Sequence, residues 1–195
     1  MTETVTWSCR CGATALEVDI SGGSRVMCYC THCQAFARHF GRTDMLDAHG
    51  GSDLYQVAPH QVRFLRGEEN LAAIRLTDKG PMRWYAACCD TPMANTWPSP
   101  ALPFVTMTAV RFDAPDALPR LHAQTFRRDG IGYVEREGGN VARVYVDFAR
   151  RALFSRLSGR WKENPFFGAD GTPKARYRRL TKDEMKAAYD AEQTV

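Results

Sequence analysis

The sequence predicts a mainly β fold with a C-terminal helical extension. Three features carry that expectation: short alternating segments punctuated by glycine and proline through the first two-thirds, cysteine clusters confined to the first half, and helical spacing near the end. In ATALEVDI (13–20), Leu16, Val18 and Ile20 alternate with polar residues, as one buried strand face requires. Gly22 and Gly23 then mark a turn, and RVMCYC reads as the returning strand. Further strands are expected at DLYQV (53–57), HQVRFL (60–65), LAAIRL (71–76), MRWYAA (82–87) and FVTMTAVRF (104–112). Breaks such as Gly50-Gly51, Pro59, Gly67 and Gly80-Pro81 separate them, which suggests a sandwich or open barrel. QAFARHFG, after Cys33, reads as a short helix.

The end of the chain has a different rhythm. VDFARRALFSRLSG places Val146, Ala149, Leu153 and Leu157 at helical spacing, with Gly159 set to end the helix. ENPFFGADGTP reads as an aromatic, turn-rich loop. In LTKDEMKAAYDAEQ, Thr181 and Glu184 form a capping box, with Leu180 packing on Met185 as a staple. The expected division is a β domain over 1–145 and a basic helical extension over 146–195, packed on or beside it.

The chain has 195 residues, enough for one domain with a proper core, and 44% hydrophobic and 25% charged residues, as in an ordinary globular protein. No stretch nears the roughly 18 apolar residues of a membrane span, and the first residues show no basic-then-apolar leader. These features predict a cytoplasmic protein without membrane contact, in a compartment that keeps thiols reduced. The net charge of +4 is unevenly spread. Residues 150–195 hold 11 Lys and Arg against 6 Asp and Glu, leaving 15 against 16 in residues 1–149. The extension therefore carries the excess, and an anionic partner there stays open.

The seven cysteines are Cys9, Cys11, Cys28, Cys30, Cys33, Cys88 and Cys89. An odd, clustered set fits metal ligation better than disulfide pairing, and alternate residues such as Cys28 and Cys30 suit the narrow geometry of a disulfide badly. On a strand, Cys9 and Cys11 share a face and can aim two thiolates at one ion. Cys28, Cys30 and Cys33 add three from a strand end and the turn after it, while Cys88 and Cys89 arrive from a distant hairpin. Four thiolates make a closed structural zinc site, whereas three with an open position mark a reactive one. Seven divides as four plus three, predicting one or two zinc ions per chain.

SCRCGATALEV, CYCTHC, QVRFLRGEENLAAIRL and RWYAACCDTP together resemble the glutathione-dependent formaldehyde-activating enzyme family, which includes centromere protein V. The resemblance covers about residues 7–97. It implies a zinc-stabilised β-sheet fold, a structural zinc held by Cys9 and Cys11 with the last cysteine motif, and a second, activity-associated zinc on Cys28, Cys30 and Cys33. The third motif departs from the family pattern. Cys89 matches its last cysteine, Ala86 stands where its partner belongs, Cys88 is adjacent to Cys89, and Asp90 replaces a glycine. Ligation of one ion by both neighbours requires a sharp bend, so two assignments are open for Cys88: the first ion or the second.

Zinc with three thiolates is formally −1, a weak Lewis acid better suited to accepting a further thiolate than to activating water. A small thiol such as glutathione is the expected partner, and the resemblance implies a carbon–sulfur lyase reaction on an S-hydroxymethylglutathione-type adduct. Arg38, His39, Arg42 and Arg83 are the local candidates to bind an anionic substrate, each weighed against simple surface exposure. His32 is expected to face solvent within the knuckle, and Trp84, Trp97 and Trp161 to be core aromatics. No glycine-rich phosphate loop follows a strand. A redox-thiol role lacks its expected C-x-x-C at a helix start within a βαβ unit. The competing function is a catalytically silent zinc-stabilised module whose basic segment, including Arg176, Arg178 and Arg179, meets nucleic acid or an acidic protein.

Overall fold

The computed structural model describes residues 3–190. It is mainly β, with two sheets and with helices concentrated at the C-terminal end. The smaller sheet has the order β1-β2-β5, from β1 (Thr4–Ser8), β2 (Ala15–Asp19) and β5 (Val62–Arg66), all antiparallel. The larger has the order β10-β3-β4-β9-β8-β7-β6-β11, built from β3 (Ser24–Cys28), β4 (Ser52–Val57), β6 (Leu71–Arg75), β7 (Met82–Ala86), β8 (Thr91–Thr96), β9 (Val105–Thr108), β10 (Ala123–Thr125) and β11 (Tyr177–Arg179). The two outer strands pair in parallel, β10 with β3 and β11 with β6.

Alternation decides which faces meet. Leu16 and Val18 are fully buried and Ile20 nearly so, while Glu17 and Asp19 lie partly in solvent. The main core draws on both sheets: Val5, Trp7, Leu16 and Val18 from one side, Tyr55, Trp84, Met93 and Met107 from the other. The glycine pair at 22–23 does not return the chain as a hairpin. It passes β3 to the other sheet, where β3 pairs with β4. Tyr55 occupies the space beside Gly23 and donates from its hydroxyl to the carbonyl of Ile20 (2.6 Å), closing this crossover. The segment 104–112 is extended only through β9. After Thr108 it tightens into a 3₁₀ turn that brings Arg111 back to the end of β1.

The C-terminal residues are woven into this frame. Helix α2 (Val141–Leu157) begins earlier than expected, so the 145/146 boundary falls inside it. Asn140 caps it by accepting from the backbone N–H of Arg143, and Gly159, at φ 77°, ends it. The inward face is not Val146, Ala149, Leu153 and Leu157, all of which are exposed. Val144, Ala152 and Ser155 are buried instead, with Phe148 edge-on to Phe104. Phe166 and Phe167, expected in a loop, lie in the main core against Trp84. Helix α3 (Lys182–Asp190) packs on α1 (Thr31–His39) through Leu180, Ala188, Ala35 and Phe36. Its capping box has both bonds: the Thr181 N–H donates to Glu184, and the Glu184 N–H to the Thr181 hydroxyl. The part of this helix expected at 191–193 lies outside the described residues. Among the described residues no helix is long and apolar enough to cross a membrane.

Candidate metal centres

Two groups of sulfur atoms converge, each with all ligand atoms within 4.8 Å of one another: Cys9, Cys11, Cys88 and Cys89, and separately Cys28, Cys30 and Cys33. Either could hold a metal ion such as zinc. Cys88 falls in the first group.

The first group joins the two sheets. Cys9 follows β1, and Cys11 lies in a tight turn rather than on a strand. The turn is closed by the Gly12 N–H donating to the Cys9 carbonyl (3.1 Å) and the Cys9 N–H to the Thr14 carbonyl (3.0 Å). Gly12 takes φ 76°, a left-handed conformation that glycine adopts without steric cost. Gly67 lies so near Ala13 and Thr14 that a Cβ there would collide with backbone. Cys88 and Cys89 come from the four-residue turn between β7 and β8, whose flanking residues Ala86 and Thr91 pair. The bend that lets neighbouring cysteines face one centre is present: Asp90 is left-handed at φ 52°, at the position where the family pattern has glycine.

The sulfur separations suit a tetrahedron. Cys9 to Cys11 is 3.5 Å, Cys9 to Cys88 3.7 Å, Cys11 to Cys88 3.5 Å and Cys88 to Cys89 3.9 Å. A tetrahedron with Zn–S of about 2.3 Å has edges of about 3.8 Å. The surrounding donors complete the fit. The Thr14 N–H donates to Cys9 Sγ at 3.3 Å. The Thr91 hydroxyl accepts from the Arg10 N–H and from Arg42 Nη1, both at 3.1 Å, which leaves its own proton for Cys89 Sγ at 3.1 Å. Burial opposes ionisation of Cys89, but the bonds from Thr91 and from the Cys11 backbone bring its pKa down to about 6. Burial raises that of Cys88 to about 12, although Thr14 pulls the other way.

The second group sits where β3 gives way to α1. Cys28 ends the strand, Cys30 is the N-cap residue of α1, and Cys33 lies in its first turn. C-T-H-C therefore stands at a helix start, the helix beginning at Thr31 rather than after Cys33. It is not within a βαβ unit, because β3 and the following β4 are antiparallel. Beside the sulfurs lies Arg83, buried at 3% exposure, whose Nη1 is 3.5 Å from Cys33 Sγ and 2.9 Å from Asn95 Oδ1. Hydrogen bonds from Cys28 and Cys30, and then the charge of Arg83, hold Cys33 well below the usual thiol range. Cys28 is pushed up, first by its bond to Cys30 and then by that to Cys33 and by burial. The bond to Cys28 lowers the pKa of Cys30, but the bond to Cys33 and burial outweigh it, to about 12. Of the three thiols Cys33 is thus the one most favoured to ionise, and it is the one beside the Arg83 cation. With zinc and three thiolates at −1, Arg83 brings the site to neutrality, so the net anionic character read from the sequence is cancelled.

Of the four residues expected to bind substrate, only Arg83 reaches this cluster. Arg38 and His39 are carried about 7.5 and about 9 Å along α1 from Cys33 by its rise per residue. Arg38 donates to Gln34, and His39 packs against Phe40. Arg42 is buried, paired with Asp44 at 2.7 Å and serving the first group through Thr91. His32 is half-buried and edge-on to Tyr189 rather than free in solvent. Trp84 is core, but Trp97 is 41% exposed and Trp161 lies under Arg156. Thr91, Thr14, Asn95 and Gln34 carry no metal-ligand signal in the sequence. Gln34 ties the Tyr29 and Asp129 carbonyls together with its amide N–H groups, fixing the loop beside the triad.

The two clusters differ in what lies beside them. The triad opens on a cavity of about 670 Å³, lined by Cys28, Cys30, Cys33, Arg83 and Asn95 and by aromatic side chains including Trp97 and Phe104. No lining residue of that cavity comes from the four-cysteine group.

A model for a family of unknown function, DUF6151, matches residues 1–128. A crystal structure of a Rhodobacter sphaeroides protein is similar, with a TM-score of 0.41 and 19% identity over 62% of this chain and 99% of that one. None of the curated proteins matches.

Proposed function

The chain belongs to DUF6151, a family of unknown function, and from the unequal pair of cysteine clusters we propose a zinc-dependent carbon–sulfur lyase-like protein acting on a small thiol–aldehyde adduct. The observation that carries this reading is the cavity of about 670 Å³ at the three-cysteine cluster. Its volume is that of a small-molecule site, and three protein ligands leave a position for a fourth group. The motif resemblance to the glutathione-dependent formaldehyde-activating enzymes points the same way.

A zinc ion held by three thiolates supplies, when bound, a soft open position that favours the deprotonated form of an incoming thiol. The residues of the chain do the rest. Arg83 holds a permanent positive charge beside Cys33 and so limits the build-up of negative charge when a further thiolate enters. Asn95 accepts from Arg83 through Oδ1, leaving its NH₂ group to donate to the substrate oxygen. Apolar side chains along the walls flank the body of the adduct. In the lyase direction the C–S bond of R–S–CH₂–OH breaks with its electron pair on sulfur. The O–H bonding pair becomes the second bond of the carbonyl, the hydroxyl proton leaves to solvent, and formaldehyde and the thiolate result. No electron is gained or lost, and the reverse step is thiol addition to the carbonyl.

The binding-module alternative finds less support. Arg178 makes two 2.8 Å bonds to Glu184 and Arg179 lies 2.8 Å from Asp78, so two of the three arginines expected to meet a polyanion are engaged by carboxylates of the chain itself.

The test is exchange between ¹³C-formaldehyde and its S-hydroxymethyl adduct, followed by NMR with zinc-loaded full-length protein. Acceleration above the buffer rate, lost in Cys30→Ser and reduced at least about tenfold in Asn95→Ala, is expected. Exchange at the buffer rate for every thiol tried would contradict the reading.

A further inference from the structure

The walls of the cavity are of a different character from its floor. The sulfurs and Arg83 lie at one end, whereas Val26, Leu54, Phe104, Val144 and Phe148 make the sides, and Trp97, Phe126 and Tyr145 are substantially exposed. Helix α2 supplies one wall as a regular stripe: Val141, Val144, Tyr145 and Phe148 stand at i, i+3, i+4 and i+7, and all four line the cavity. This wall comes from beyond the residues matched by the family model. Among the described residues three charged side chains line the space, Lys79, Arg83 and Asp129. Arg83 lies at the sulfur end, where its Nη1 donates to Cys33 and Asn95, so Lys79 and Asp129 are the charges along the walls.

Phe126 adds an independent sign. It holds a left-handed backbone, φ 55°, which is uncommon for an aromatic residue, yet its ring is 59% exposed at the cavity rather than packed in a core. Strain of this kind persists where the side chain is needed at that place. Gln34 and the 3₁₀ turn Arg127–Asp129 hold the loop in that shape.

We infer that the thiol accepted by the triad carries an apolar, aromatic-sized body that lies between the α2 stripe and Phe104, rather than the charged peptide body of glutathione. Glutathione would bring two carboxylates and an ammonium group to a space whose charges away from the sulfur end, among the described residues, are Lys79 and Asp129, so part of their desolvation would go uncompensated. An aryl or alkyl thiol meets the apolar side chains of the α2 stripe, Val26, Leu54 and Phe104 and ends at the cysteines. This assignment rests on the thiol-adduct reading above, and its test separates the two.

Cobalt-substituted full-length protein is titrated with 2-phenylethanethiol, ethanethiol and glutathione, following the thiolate-to-cobalt charge-transfer band. In parallel, 2-phenylethanol, which has the body without the thiol, is titrated by calorimetry. The expected result is tightening of at least about tenfold from ethanethiol to 2-phenylethanethiol, with glutathione weaker than 2-phenylethanethiol and measurable binding of 2-phenylethanol. Phe126→Gly should weaken 2-phenylethanethiol several-fold while raising or preserving the melting temperature, a combination that a purely structural Phe126 would not give. Tyr145→Ala, on an exposed helix position, should weaken it without loss of fold. Glutathione binding as tightly as 2-phenylethanethiol would overturn the apolar assignment and keep the thiol reading. A band unmoved by any thiol, with 2-phenylethanol still bound, would overturn the thiol reading and keep an apolar site. Absence of both responses would overturn both.

Discussion

Arg83 Nη1 lies 3.5 Å from Cys33 Sγ, so the three-cysteine cluster is built around a buried cation that the four-cysteine cluster does not share. Arg83→Met should therefore weaken zinc at the triad by about 10–100-fold, the range typical of lost outer partners, and leave the first cluster unchanged. Competition with a chromophoric chelator, resolving two steps, checks this. Equal weakening of both steps would assign Arg83 a general structural role.

Thr91 does for the first cluster what Arg83 does for the second. Its hydroxyl accepts from Arg10 and Arg42 and donates to Cys89. Thr91→Val should cost about 1–3 kcal/mol of stability, because it orphans buried donors in a fully buried position. Thr91→Ser should recover most of the loss. Chemical denaturation of zinc-loaded protein measures both.

The clusters should also separate in mutagenesis. Cys9→Ser breaks the link between β1 and the β7–β8 turn and should lower the melting temperature strongly, as should chelation of wild type. Cys30→Ser should spare most of the stability and remove thiol binding. If both substitutions unfold the protein equally, the triad is structural too.

Much of this was legible in the sequence. Cys28, Cys30 and Cys33 are close in the chain, so their meeting needed only a strand end and a turn. Leu16, Val18 and Ile20 announced their face because one sheet side is buried and the other is not. Helix α2 misled because it is apolar on two faces. Val146, Leu153 and Leu157 keep helical period as well as Val141, Val144 and Phe148 do, and period alone does not say which face meets the sheet. Strands β10 and β11 have three residues each, too short for an alternation signal, and pair in parallel with strands about 100 positions away. Arg83 and Thr91 look like ordinary strand residues, since their roles depend on partners about 50 positions distant.

The C-terminal aromatics give a packing prediction. Phe166 is fully buried, 5.1 Å from Trp84 between ring centroids. Phe166→Ala should cost about 3–5 kcal/mol, a core-sized loss in a segment read from sequence as a loop. A cost within about 0.5 kcal/mol, typical of exposed positions, would contradict the described packing.

Glu184 sets a pH dependence. Bonds from Arg178, then from the Thr181 backbone, hold its carboxyl at about 2, below the ordinary 4.5. A depressed carboxylate stabilises the fold above its unfolded pKa and loses that contribution as pH falls. The melting-temperature gap between wild type and Glu184→Ala should therefore stay constant from pH 7 to about 4.5 and narrow on acidification towards 2. A gap that widens on acidification would reverse the sign and refute the pairing.

The most direct test of the central claim, one closed and one open cysteine site, is the sulfur count by X-ray absorption at the zinc edge on zinc-loaded full-length protein. Two ions per chain with a mean of about 3.5 sulfurs each, rising towards 4 when 2-phenylethanethiol is added, is the predicted result. A mean of 4 sulfurs from the outset that thiol does not alter, or a single bound ion, would contradict it.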